Sequence, residues 1–163
     1  MKIVCDGFEF DFTDAKKVFI FDEKTKTEPN YHGLSHAMKA VDIIVELEEK
    51  YLFIEVKDFF NPSLYDDNNH FNKLRENLKY KYRDTWLYQW AEGKTNKPII
   101  YLCLLELKTG HTNRMTKEMR KQLPLSTCGP RWCNEISGGC SVLNLELWNK
   151  RFTAWSVSRL APT

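Results

Sequence analysis

No stretch of this sequence approaches the roughly 20 consecutive apolar residues that cross a bilayer as a helix, so no membrane partner is expected. The first ten residues, MKIVCDGFEF, reach an acid at position 6 and hold no apolar segment of secretory type. A cytoplasmic protein is expected. Charge of one sign is also scarce. Lys and Arg number 24 against 22 Asp and Glu, a formal net charge of +2. That excess is too small to mark a nucleic-acid binder by composition, so any polyanion site must come from segregated charge. The five cysteines are an odd number, which argues against a closed disulfide framework, and reduced thiols are expected. There is no glycine-rich phosphate loop, no Gly-X-Ser-X-Gly elbow and no His-Glu-X-X-His helix. Neither repeats nor a Pro/Gly/Ser-rich linker divide the chain, so residues 1–163 are read as one domain.

What is present is an ordinary globular composition, 42% hydrophobic and 28% charged, with 13% aromatic residues for the core. Lys2–Cys5 and Phe8–Phe12 read as a hairpin turned by Asp6-Gly7, a dipeptide that tolerates positive φ. The segment TDAKKVFIFDE, from Thr13, is read as a helix capped by Thr13, with VFIF also compatible with a strand. Residues 24–36 are polar and form a loop. VDIIVEL (41–47) and YLFIEVK (51–57) are β-branched and aromatic and read as paired strands about Glu48-Glu49. Phe71, Leu74, Leu78, Tyr82, Thr85 and Trp86 recur at helical spacing within 70–92, and Gly93 closes that helix. KPIIYLCLLEL (97–107) predicts a strand buried on both faces. A short basic helix over 112–123 follows, then a loop over 125–140 and two strands over 141–149 and 152–160. The expected fold is therefore α/β, a mixed β-sheet flanked by helices.

Side chains alternate along a strand, so Tyr51, Phe53, Glu55 and Lys57 share one face, and Asp42, Ile44 and Glu46 share one face of the preceding strand. Any even-length turn keeps Asp42, Glu55 and Lys57 together. A two-residue turn sets Asp42 opposite Glu55, and a four-residue turn sets it opposite Lys57. Two carboxylates roughly 5 Å apart repel each other. A divalent cation relieves this, because Mg²⁺ takes one or two carboxylates and keeps its waters for a phosphate.

An Asp at the start of one strand, a hairpin, and Glu-X-Lys at the end of the next, here AVDIIVELEEKYLFIEVKDF, resembles the PD-(D/E)XK nuclease superfamily. The long helix and buried strand downstream extend the resemblance over roughly residues 13–107. One departure is Ala40-Val41 before Asp42, where the family often has Pro. The resemblance implies a restriction-endonuclease-like core of order αβββαβ, here with an N-terminal hairpin and extra C-terminal strands. It implies Mg²⁺ or Mn²⁺ bound by Asp42, Glu55 and the Val56 carbonyl. Lys57 would orient the attacking water, and the reaction would be phosphodiester hydrolysis in DNA or RNA. Members often add an acid from the first helix, for which Glu23 and Asp22 are the candidates. Some supply a base from the long helix, where Lys81 is the candidate. At this size a homodimer or a larger complex is a reasonable expectation.

Other residues invite attention. Lys73, Arg75, Lys79, Lys81 and Arg83, with Arg114, Lys117, Arg120 and Lys121 of the short helix, could line a phosphate groove or form ordinary solvated faces. Tyr80, Tyr88 and Trp90 could stack on bases, while Tyr82 and Trp86 are read as core. Cys5, Cys128, Cys133 and Cys140 follow the one-early, three-late order of exonucleases that carry an iron–sulfur cluster. They lack a Cys-X-X-Cys pair, and zinc with His111 has no set spacing. Free thiols filling core gaps are expected. His32 and His36 precede Asp42 and read as exposed loop histidines.

Overall fold

Asp6 and Gly7 hold φ of 48° and 80°, the paired left-handed values of a type I′ turn. They close the expected hairpin of β1 (Lys2–Cys5) and β2 (Phe8–Phe12), with Cys5 opposite Phe8. The computed structural model describes residues 1–126 and 129–161. Within it, the hairpin recruits a distant strand, β8 (Trp155–Arg159), into a three-stranded sheet of order β1-β2-β8.

The second sheet has five strands and carries the hairpin that holds the acids. Its order is β3-β4-β5-β6-β7, from β3 (Lys17–Ile20), β4 (Ile43–Glu46), β5 (Tyr51–Lys57), β6 (Ile99–Leu105) and β7 (Gly139–Leu143). The first three pair antiparallel, and β6 and β7 join parallel to β5. Each parallel connection carries a helix: α1 (Asn68–Ala91) between β5 and β6, and α2 (Thr109–Gln122) between β6 and β7. Asp67 caps α1 by accepting from the Asn69 and His70 amides. At its other end Gly93 takes φ +73° beyond the C-cap, as expected for the C′ position.

Two expectations need correction. The segment after Thr13 is strand β3, not a helix. Phe19 and Ile20 pair with Ile44 and Ile43, and a helix this short is marginal without a packed face, whereas an open strand edge rewards Val-Phe-Ile directly. The order αβββαβ is thus only partly realised. β3-β4-β5-α1-β6 supplies the βββαβ portion, and among the described residues no helix precedes it. At the C-terminus, the strand expected over 141–149 stops at Leu143. Residues Leu145–Arg151 form α3 instead. Asn144 caps it by accepting from the Leu147 amide at 3.0 Å, with Glu146 in the first turn and Lys150 and Arg151 in the last, where each complements the helix dipole.

The five-stranded sheet is covered on both faces. Phe53, Tyr101, Cys103 and Leu105 pack against Phe71, Leu78 and Tyr82 of α1 and Met115 and Met119 of α2. Leu52, Ile54, Val56, Leu102 and Leu104 pack against Phe8, Phe10 and Phe12 of the small sheet and Trp148 of α3. Among the described residues no helix is long and apolar enough to cross a membrane.

Candidate functional site

The β4–β5 register decides how the acids meet. Glu46 lies opposite Tyr51 and Ile44 opposite Phe53, and the Leu47 amide bonds the Lys50 carbonyl across the turn at 2.9 Å. This is the Glu48-Glu49 turn of the two-residue alternative, which points Asp42 at Glu55. Just beyond the last paired residue, the Asp42 amide donates to Ile54 O at 3.0 Å. The Asp42 carboxylate turns inward, where Oδ2 accepts from the Val56 amide at 2.7 Å.

Glu55 is buried, with 4% of its surface exposed, in a sheet whose other buried positions are mostly apolar. Its Oε1 accepts from Lys81 Nζ at 2.5 Å. Its Oε2 is buried and finds no donor among the described residues. Since the neighbouring Asp42 carboxylate is also an acceptor, the two need a donor or a cation between them. Burial, then the charge of Asp42, push the Glu55 carboxyl up to about 8, against the pull of Lys81. Burial raises Asp42 as well, opposed by Lys81 and the Val56 amide. Lys81 itself is drawn down by burial but lifted further by Glu55 and Asp42, so it stays an ammonium. These shifts describe a site holding two acids and one lysine, in which the second negative charge is the costly one.

Asp42, Glu55, Val56, Lys57 and Lys81 all line one open cleft of ≈430 Å³. The structure thus gathers the expected constellation at the C-terminal end of β5, apart from its first acid. Of the two candidates for it, Asp22 reaches the cleft and Glu23 does not. Asp22 lines the cleft and is held by Lys24 Nζ at 2.6 Å. Glu23 lies outside it and accepts from the Thr25 amide at 2.7 Å, which holds its carboxyl below the usual range. Ile20, the last residue of β3, also lines the cleft, and Asp22 follows in the bend just beyond it.

Five further residues reach the cleft that sequence reasoning did not place there: Ile20, Lys24 and three from other elements. Cys5 and Asp6 arrive from the first hairpin and Asn77 from α1. Asn77 stands four residues before Lys81, so helical spacing alone puts the two on one flank. Burial, then Asp42 and Asp6, push the Cys5 thiol up to about 12, so it is not a ready thiolate. Lys57 occupies the exposed end of β5, its ammonium 5.3 Å from the Phe59 ring centroid.

Other candidates lie elsewhere. Residues of α2 do not line the cleft. Arg114 covers the Phe71 ring at 4.0 Å, Arg120 donates to the Cys140 carbonyl and Lys121 pairs with Glu118. His111 pairs with Asp66 at 3.1 Å. His32, expected to be exposed, is buried against Phe21 and Tyr88, with Nε2 3.8 Å from Asp22. Tyr82 is core, and Trp86 is only partly buried. Cys103 and Cys140 are buried free thiols, Cys5 is half-buried and Cys133 exposed; Cys128 lies outside the described residues.

Comparison with protein-family models, curated proteins and solved structures returns no match. The chemistry of the donor set must therefore speak for itself. Among the described residues no three His, Cys, Asp or Glu side chains are placed to hold a metal together. The fit is to an ion content with two carboxylates, and Mg²⁺ is such an ion, taking its remaining ligands from water and phosphate. Asp42 and Glu55, whose carboxyls interact and of which Glu55 Oε2 lacks a donor among the described residues, are the residues that would hold it.

Proposed function

We propose that this protein is a nuclease of the PD-(D/E)XK kind, hydrolysing phosphodiester bonds in DNA or RNA with Mg²⁺ or Mn²⁺. The observation that carries the reading is the pairing of Asp42 with the buried Glu55, whose Oε2 has no donor among the described residues, in an open cleft that also presents Lys57 and Lys81. A protein that wanted only structure from Glu55 would do as well or better with apolar residues there, since replacing a buried ion pair such as Glu55–Lys81 by apolar side chains is often neutral or stabilising. The βββαβ succession of β3, β4, β5, α1 and β6, with β5 and β6 parallel, supports the same reading.

When bound, the divalent ion supplies Lewis-acid polarisation and lowers the pKa of water. Asp42 and Glu55 hold it. The Val56 amide fixes the Asp42 carboxylate in place at 2.7 Å, so little reorganisation is needed. Lys81 lowers the cost of ionising Glu55, which must release its proton before it can ligate. Lys57 lies at the exposed rim, where it orients the attacking water and offsets the charge that grows on the phosphate oxygens. Asp22 adds a third acid at the edge.

A binding module on the same scaffold is the competing reading. In its favour, the Lys81 ammonium already pairs with Glu55 at 2.5 Å, so the acids can persist with no ion. Incubation with plasmid, single-stranded DNA and RNA in Mg²⁺ or Mn²⁺, beside Asp42→Asn and Lys57→Ala, separates the two. Cleavage by the wild type and a loss of about 100-fold or more in each variant is the expected result. Nucleic acid bound but left uncut, with no rise in melting temperature on adding either ion, overturns the nuclease reading and leaves the module.

A further inference from the structure

Beside the cleft, on the flank of α1, lies a second open cavity of ≈640 Å³, lined by Lys39, Lys73, Glu76, Asn77 and Tyr80 among others. Asn77 lines both cavities, so they adjoin at that side chain. Lys73, Asn77 and Tyr80 follow each other at spacings of four and three and form one stripe along the helix.

Cations gather about the Tyr80 ring. Arg83 Cζ is 4.5 Å from its centroid, Lys79 Nζ 5.2 Å and Lys39 Nζ 5.8 Å. The acids nearby are already engaged: Glu76 with Lys79 at 2.7 Å, and Asp84 with Arg83 at 3.0 Å. The Lys39 ammonium bonds a neutral partner, Asn77 Oδ1, at 2.7 Å, and Lys73 is exposed. The patch therefore carries an excess of positive charge, although the whole chain is close to neutral. Lys39 is also anchored: its amide donates to Asp84 Oδ2 at 2.9 Å. This ties the loop that enters β4, three residues before Asp42, onto α1.

We infer that this patch holds a single-stranded segment of nucleic acid leading into the cleft, with its phosphates on Lys39 and Lys73 and a base on the Tyr80–Arg83 platform. The inference rests on the nuclease reading for the destination of the strand, but not for its binding. An aromatic ring and a guanidinium plane each offer a face to any base, while lysines at either side track the backbone. A continuous duplex hides its base faces inside the stack, so it gains the phosphate contacts and not the platform. The Lys39–Asn77 bond stands where the two cavities meet, so a phosphate there competes for the ammonium that now bonds Asn77.

The test uses fluorescence anisotropy of the full chain with a labelled single-stranded oligonucleotide and its duplex in EDTA, which separates binding from cleavage. Tyr80→Ala should weaken single-strand binding by about 5- to 100-fold and leave duplex binding nearly unchanged. Lys39→Ala with Lys73→Ala should lower the salt slope for the single strand by about 1.4, or about 0.7 for each phosphate that is no longer neutralised. Circular dichroism melting confirms that the variants fold. Unchanged single-strand affinity in both folded variants, equal losses for strand and duplex in Tyr80→Ala, or equal competition by heparin overturns the inference. A wild type that cuts DNA while the variants bind as before sinks the patch and keeps the nuclease. Strand binding that depends on Tyr80, without cleavage in Mg²⁺ or Mn²⁺, does the reverse.

Discussion

The two faces of the five-stranded sheet are built from the same strands yet obey different rules. On one, Ile54, Val56, Leu102 and Leu104 meet Phe10 and Trp148, and the buried cluster contains no ionisable side chain. On the other, one strand position over, Phe53 is followed by Glu55, buried beside Asp42 and Lys81. Hydrophobic burial is non-directional and indifferent to pH. The opposite face carries groups whose charge changes with conditions and which are not all satisfied by the protein. Both faces hold the fold through their apolar clusters, and the second also buries titratable groups, which is where the proposed site lies.

This contrast can be broken experimentally. The largest effect is expected from Trp148→Ala. Trp148 is fully buried, stacks edge-on with Phe10 at 5.7 Å and donates to the Trp155 carbonyl at 2.7 Å. Denaturant unfolding should show a loss of about 3–5 kcal/mol, the same at pH 5 as at pH 8 to within error. A loss that varies strongly with pH would remove the distinction between the faces.

Next comes the pH dependence of the wild type without metal. The folded Glu55 carboxyl sits at about 8 against an ordinary 4.5, so the native state binds more protons than the unfolded one between those values. Stability must therefore be greatest at the acidic end of that window and fall as pH rises through it, with Asp42 contributing in the same sense. Glu55→Gln should remove most of the slope, a difference on the order of a few kcal/mol near pH 8. Adding Mg²⁺ should restore wild-type stability near pH 8 and do little near pH 5, where a proton occupies the carboxyl. Wild-type stability that climbs between pH 5 and 8 would refute the paired-acid picture.

The smallest expected effect is Ile54→Val. It lies beside Glu55 in the chain but on the apolar face. It should cost about 0.5–1.5 kcal/mol and leave both the pH slope and any Mg²⁺ response untouched. A change in either would mean that the faces communicate through β5.

The hairpins, the long helix with its capping Gly93 and the buried strand β6 were legible because each has a local signal: a turn dipeptide, a 3.6-residue period or a run of β-branched residues. So was the shared face of Asp42, Glu55 and Lys57, since strand alternation fixes it once the turn is even. Segments with two local solutions were misread. Val18-Phe19-Ile20 became a strand because β4 offered an unpaired edge, and Leu145–Arg151 became a helix because Asn144 caps it. The alternation of Leu143-Asn144-Leu145-Glu146-Leu147 reads as strand until that cap is recognised. Asp22 and Glu23 could not be separated until the bend after β3 was placed at the cleft.

The sequence by itself determined which residue types could do chemistry and which of them share a side of β5, because alternation along a strand is a local property of the backbone. Tertiary structure alone decided that Lys81, 26 residues beyond Glu55, reaches it at 2.5 Å. It also decided that Asp22 and not Glu23 completes the cleft, and that Glu55 is buried deeply enough to hold its proton up to about pH 8. Those facts depend on how α1 and β3 pack against the hairpin, and burial and charge act through space rather than along the chain.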